Sequence, residues 1–380
     1  MDFATNIIRP LGATGLNPAI KDLRSLIEGD PELSKLSTEM FMQTRPGAHV
    51  ISNNFVTFIS ALNNIIRSAP AFSPAAYKKS YAGCPFTDLL KPYMNTPAGY
   101  KLFLHPELNR VFAKLLREWT RFLSSSDSKN VLTNEPYGWF STEALATMTN
   151  FEATYVCDKS LPQWGFTSWD DFFTRKVRDG VRPITEPDNP AIITAACDAT
   201  TYRVAKDIKE EDTFWIEGRA YSLRDLMNGD PIASKFIGGT IYQGYLEPVH
   251  YHRWHAPVAG IIVKILDDPG NFCLVQSDSA DSNEMLHSSQ GYTAHVVTRT
   301  LIFIKNEKLG VVGCLFAGLP KRGSCQATVS VGQTVKKGEE IGMFHYGGNT
   351  HCVAFQPGLN IDCVISPRSL VGEPTFSLLC

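Results

Sequence analysis

The periodicity of this chain changes once, and that change limits the folds open to it. Up to about residue 150 the apolar residues recur at helical steps. Phe55, Phe58, Ile59, Leu62, Ile65 and Ile66 fall on one face of a helix that Ser68-Ala69-Pro70 ends. Leu108, Val111, Phe112, Leu115, Leu116, Trp119, Phe122 and Leu123 make a second stripe, stopped by Ser124-Ser125-Ser126-Asp127-Ser128. Such stripes are core. Ser141, ahead of Thr142-Glu143-Ala144-Leu145, reads as the N-cap of a further helix.

Ser168 to Val177 reads as one more short helix, with acids in its first turn and bases in its last. Arg182-Pro183 and Glu186-Pro187-Asp188-Asn189-Pro190 then form a proline-rich connector, and beyond it short β-branched runs alternate with turns. The runs are Ile192–Ala196, Thr200–Val204, Ile241–Tyr245, Ile261–Leu266, Cys273–Val275, Val296–Ile304, Val311–Ala317 and Cys325–Val329. Asn306–Gly310 reads as a hairpin loop between two of them. Many short strands imply an antiparallel sheet system, closed or sandwiched. Val331–Gly342 has the look of a biotinyl or lipoyl-type barrel-sandwich turn without the Met-Lys-Met of a carrier, and Ser277–Ser289 reads as a polar, mobile loop. The expected class is α+β: a helical N-terminal domain over residues 1–180, then a mostly antiparallel β domain over 181–380 with a barrel-sandwich-like C-terminal part.

A net charge of -2 gives no field for nucleic acid or an anionic membrane surface. Nine cysteines without CxxC spacing point to reduced thiols in a cytoplasmic setting rather than a disulfide framework or a zinc ribbon. No basic n-region opens the chain and no run of 18 apolar residues occurs, so integral membrane association is not expected.

Three stretches carry chemistry. Gly347-Gly348-Asn349-Thr350 interrupts strand-like sequence, and its local reading is a hairpin turn between Met343–Tyr346 and His351–Phe355. His250-Tyr251-His252-Arg253-Trp254-His255 puts three of nine histidines in six residues, with Pro257 and Gly260 disfavouring a helix. His255 reads either as a hydrogen-bonded histidine at a strand end or as a general base fixed by a carboxylate; no third ligand is signalled, and no metal site is expected. Asp198, flanked by small residues in Ala195-Ala196-Cys197-Asp198-Ala199, is a turn residue or that carboxylate.

Together with Trp169-Asp170-Asp171-Phe172-Phe173-Thr174-Arg175 with Arg182-Pro183, and Lys337–Gly348, these stretches resemble the phosphatidylserine decarboxylase family from about Trp169 to the end. Tyr251-His252-Arg253-Trp254-His255-Ala256-Pro257-Val258-Ala259-Gly260 is the most specific of them. The helical first half looks like the soluble fungal branch, which includes pyruvoyl-type decarboxylases of aromatic amino acids such as tryptophan. The resemblance implies a proenzyme that cleaves itself at a Gly-Ser bond, the serine becoming a pyruvoyl cofactor that holds the substrate amine as a Schiff base. It assigns Asp198 and His255 as acid and base, His252 as partner of the substrate, and Gly347 and Gly348 as cleavage-site backbone. The implied partner is a small amino-acid-like substrate, favoured over a phospholipid head group.

The chain departs from the pattern at one position. Where the family has serine, this chain has Asn349, and a carboxamide cannot make the ester. Three readings follow: a non-processing member repurposed for another reaction or for binding, a substitution that traps the proenzyme, or attack by Thr350 to give a 2-oxobutyryl group.

Overall fold

A computed structural model describes residues 15–44, 52–74, 85–94, 96–216, 219–268, 298–318, 324–346, 349–363 and 368–378. They fall into two compact units, one taking in the chain through Thr149 with Cys157–Phe172, the other Asn150–Val156 with the described residues from Phe173 onward. Asn150–Val156 belongs with the second unit because Tyr155 bridges Val177 and Val156 N–H donates to the Lys176 carbonyl.

The first unit is helical, and its sequence shows where each helix starts. Asn17, Asp30, Asn54, Thr96 and Ser141 each accept from a backbone N–H of the turn that follows, capping the helices Pro18–Gly29, Pro31–Met42, Phe55–Ile65, Pro97–Leu104 and Thr142–Thr147. The long helix Pro106–Leu123 buries Leu108, Val111, Phe112, Leu115, Leu116, Trp119 and Leu123, the expected stripe apart from Phe122, which is half-buried. The helix expected from Ser168 stops early: it spans Trp169–Phe173, because the backbone beyond is taken up by pairing with Thr154–Val156.

The second unit is built of strands. In chain order they are β1 (Ile192–Thr194), β2 (Ala199–Lys206), β3 (Glu211–Ile216), β4 (Arg219–Ser222), β5 (Thr240–Leu246), β6 (Arg253–His255), β7 (Gly260–Asp268), β8 (Arg299–Asn306), β9 (Gly310–Ala317), β10 (Cys325–Ala327), β11 (Thr334–Val335), β12 (Glu340–Phe344), β13 (Asn349–Phe355), β14 (Ile361–Cys363), β15 (Arg368–Ser369) and β16 (Pro374–Leu378). Among the described residues, the main sheet has eight strands in the order β11-β7-β8-β9-β13-β5-β2-β15 and every pairing in it is antiparallel. Among those residues it is open rather than closed. Two three-stranded sheets, β1-β16-β14 and β10-β12-β6, complete the unit with the β3–β4 hairpin. The fold is α+β.

The central strands β8, β9 and β13 of the main sheet are buried on both faces. On one, Leu301, Phe303, Leu315, Ala317, Cys352 and Ala354 pack with Leu223, Met227 and Phe236. On the other, Phe316 of β9 stacks flat on Trp254 of β6, with ring centroids 4.0 Å apart. Trp254 fits because Gly342 on the paired β12 has no side chain: a Cβ there would lie 2.3 Å from the indole.

The strands on either side of Gly347-Gly348 do not form a hairpin. β12 pairs with β10 and β6, whereas β13 pairs with β5 and β9, so the chain crosses from one sheet to the other between Phe344 and Asn349. The local turn signal gave way to the larger burial available when each strand joins a different layer. Gly347, Gly348, the Cys273–Val275 run and the Ser277–Ser289 loop lie outside the described residues.

Candidate functional site

Three backbone contacts bring the distant chemical stretches together. His255 N–H donates to the Ala196 carbonyl at 2.8 Å, Ala256 N–H to Glu339 at 2.8 Å, and Gly338 N–H to Ala256 at 2.8 Å. His255 is therefore set between the segment that ends in Asp198 and the turn that precedes β12. That turn is fixed by Lys337, whose ammonium donates to the carbonyls of Glu186, Asn189 and Ile192 at 2.6, 2.8 and 3.0 Å. Three donors meet three acceptors, so the connector and the turn are tied by one side chain. Gly338 follows with φ +80°, and a Cβ there would run into Ile184 at 2.2 Å.

Asp198 is buried, and its carboxylate is fully engaged away from the imidazole. Arg182 Nη2 donates to Oδ2 at 2.8 Å, and Val371 N–H donates to Oδ1 at 2.8 Å. Among the described residues, Asp198 and His255 share no direct hydrogen bond. Instead Nδ1 of His255 donates to the Gly338 carbonyl at 2.8 Å, and Nε2 lies 3.0 Å from the Tyr251 hydroxyl. Asp198 acts on the histidine through space: burial, the largest effect, lowers the His255 pKa, while the Gly338 carbonyl, Glu340 and Asp198 work in the opposite direction.

The other two histidines of the cluster are interior groups. His252 is fully buried and stacks on Phe173 with centroids 3.9 Å apart, its Nε2 turned to the Pro248 carbonyl at 3.4 Å. Burial holds it neutral, with Arg175 and His250 adding to the effect. His250 accepts from Glu247 N–H through Nδ1, and burial pushes its pKa down to about 3, so the nearby Glu247 carboxylate is no ion-pair partner. Arg175 anchors the segment ahead of them, donating to the Val249 and His250 carbonyls at 2.7 Å and lying over the Tyr155 ring at 4.4 Å.

At the crossing between the sheets Tyr346 is fully buried with φ +38°, a conformation that a bulky residue adopts only under constraint. Asn349 opens β13 opposite Leu246. Thr350 is buried opposite Tyr245 and Ala317, on the face of Cys352 and Ala354. His351 is on the other face, beside Phe316 and Tyr242, and its Nδ1 has no hydrogen-bond partner among the described residues. Burial pushes its pKa down to about 3. The Thr350 hydroxyl is thus on the face of the sheet opposite to the one Trp254 covers.

Arg182, Tyr251 and the Gly338 carbonyl hold the acid and the histidine of the site, although the motifs single out none of them as functional. Arg182 and Tyr251 lay inside quoted motifs, and a signal existed: a buried Asp needs a cation, and a His flanked by an aromatic hydroxyl has a ready donor. No cluster of three metal-ligating side chains occurs among the described residues. No helix among them is long and apolar enough to cross a membrane.

Comparison with known proteins gives the context of this arrangement. Two phosphatidylserine decarboxylase family profiles match, one over residues 17–148 and the other over residues 169–376. L-tryptophan decarboxylase of Psilocybe cubensis is 35% identical over 376 residues, covering 92% of this chain and 82% of that protein. Decarboxylase iboD of Amanita muscaria is 38% identical over 309 residues, covering 76% of this chain and 87% of the relative. The phosphatidylserine decarboxylase proenzyme of Fusobacterium nucleatum is 29% identical over 268 residues, covering 70% and 80%. With matches spanning both compact units and relatives that share most of their length with it, this chain belongs to the phosphatidylserine decarboxylase family of carboxy-lyases.

Proposed function

We propose that this site is a carboxy-lyase site for a free amino acid, aromatic ones included, and that Asn349 withholds the one group self-processing needs. The observation that carries the substrate class is the extent of likeness to the fungal decarboxylase named for L-tryptophan, 35% over 92% of the chain. It is supported by the absence, among the described residues, of a helix able to cross a bilayer.

The residues present do not fit a serine-derived pyruvoyl group. Asn349 has no hydroxyl, and Thr350 is set into the sheet on the face of Cys352 and Ala354. What the chain's own residues do is therefore the part that can be derived. His255 is the neutral, partly accessible base, with its tautomer set by Gly338. Asp198, kept in place by Arg182 and Val371, supplies negative charge that favours the imidazolium once His255 has taken a proton. His252, fully buried and neutral against Phe173, packs the segment that leads to His255 rather than carrying charge.

A second reading, an amino-acid-binding protein that no longer processes, is favoured by Asn349 itself. The experiment separating the two incubates the Asn349→Ser chain with free amino acids, tryptophan first, and measures CO2 and amine. Release of both supports the carboxy-lyase site. Tight binding of an amino acid without release, by a chain that has cleaved, favours the binding protein.

A further inference from the structure

Tyr251 is 1% exposed, and its hydroxyl lies 3.0 Å from Nε2 of His255. The other ring nitrogen faces the Gly338 carbonyl at 2.8 Å. A carbonyl only accepts, so Nδ1 carries the proton and Nε2 holds the lone pair that accepts from the Tyr251 O–H. Among the described residues, the nitrogen a general base would use has the Tyr251 phenol as its hydrogen-bond partner.

The charged groups around this pair are already matched to one another. Arg253 Nη1 holds the Glu340 carboxylate at 2.7 Å, and Arg182 holds Asp198 at 2.8 Å. Asp198, Glu340, Arg253, Arg182 and the Tyr155 hydroxyl all face Tyr251 or His255, yet none of them hydrogen-bonds the imidazole. Burial, then Glu340, pushes the Tyr251 phenol up, so it holds its proton across the range in which His255 works.

We propose that Tyr251 is the positioning residue of His255 and the relay for its proton. The step balances as a double transfer: the group being deprotonated passes its proton to the Tyr251 oxygen while the Tyr251 proton moves to Nε2. The deprotonated atom keeps the bonding pair, the phenol is restored, and the imidazole becomes imidazolium. Nothing is oxidised or reduced. The inference rests on the reading of His255 as the base of this site.

The test labels histidine with nitrogen-15 in the full chain and follows His255 by NMR across pH, with His255→Gln for assignment. The unaltered chain should show the Nδ1–H tautomer. Tyr251→Phe should raise the His255 pKa toward its ordinary value, because a donor that favours the neutral ring is gone. A folded Tyr251→Phe chain with an unchanged His255 titration overturns the proposal. If that chain does not fold, 3-fluorotyrosine at position 251 keeps the shape and acidifies the phenol, and an unmoved Nε2 resonance then overturns it. In the Asn349→Ser chain, Tyr251→Phe should slow self-cleavage by about a hundredfold, and the fluorinated residue should shift its pH profile while retaining cleavage. Equal rates and profiles contradict the relay. If Asn349→Ser never cleaves, the functional reading fails, and the NMR result still decides whether Tyr251 governs His255.

Discussion

Arg182 Nη2 lies 2.8 Å from Oδ2 of Asp198, a pair with side chains 13% and 1% exposed, and this pairing rather than a carboxylate–imidazole bond organises the acid of the site. Removing only the cation would leave a buried carboxylate with the Val371 N–H alone. Arg182→Met should therefore cost about 3 kcal/mol or more of folding free energy. Asp198→Asn combined with Arg182→Met should cost less than the sum of the two single changes. Denaturant titration of the four chains measures this, and additive effects would show that the pair is not coupled.

Lys337 offers a second check on how the site is held. Its ammonium fills a cage of three carbonyls immediately before the glycine that orients His255. Lys337→Met should destabilise the fold by roughly 1–3 kcal/mol for the acceptors left unpaired. Lys337→Arg should not restore it, because a planar guanidinium cannot point three donors into a compact cage. Full recovery in the arginine chain would mean that charge alone, not geometry, is required.

Stability should fall in acid, with a sign set by the buried histidines. His250 and His351 have pKa values pushed down to about 3 from an ordinary 6.5 by burial. Below pH 6.5 the unfolded chain binds protons at these two positions that the folded chain does not, so their contribution is complete above that pH and is lost as pH falls toward 3. Each such group contributes a slope approaching about 1.4 kcal/mol per pH unit. Asp88, whose pKa burial raises from 3.8 to about 7, works with the opposite sign between those two values and offsets part of the slope. His351→Phe should flatten the dependence, as read from denaturant midpoints at pH values across that window. An unchanged slope would place the imidazole in contact with solvent.

Much of the fold was legible because the deciding forces are local. The stripe Leu108–Leu123 specifies a helix whatever it packs against, and Asn306–Gly310 turns β8 into β9 by its own chemistry. What was not legible depends on partners distant in the chain. Arg253–His255 is a strand because Ala196 and β12 offer it hydrogen bonds and Phe316 offers Trp254 a ring to stack on. The Gly347-Gly348 stretch joins two sheets, which no turn propensity encodes. Within the site, the Ala196 carbonyl that accepts from His255 N–H ties the segment ending in Asp198 to the histidine, while the hydrogen bonds of the two side chains go to Arg182 and Tyr251, which no motif spacing encodes.

Substrate class gives a further expectation. A site for free amino acids should leave phospholipid alone, so the Asn349→Ser chain should neither cosediment with phosphatidylserine vesicles nor release CO2 from them. Vesicle turnover at a rate matching that on any free amino acid would reverse the assignment.

The central claim is that the site lacks one hydroxyl, and intact-mass spectrometry tests it most directly. The chain as sequenced should remain a single species of 42.1 kDa. Asn349→Ser should split ahead of residue 349, at a backbone already constrained at Tyr346, and release a C-terminal fragment of about thirty residues with a carbonyl at its N-terminus. Asn349→Ser with His255→Ala should stay whole, since the new hydroxyl would have no base. A folded Asn349→Ser chain that remains one species over days, or an unaltered chain that cleaves by itself, would contradict the account.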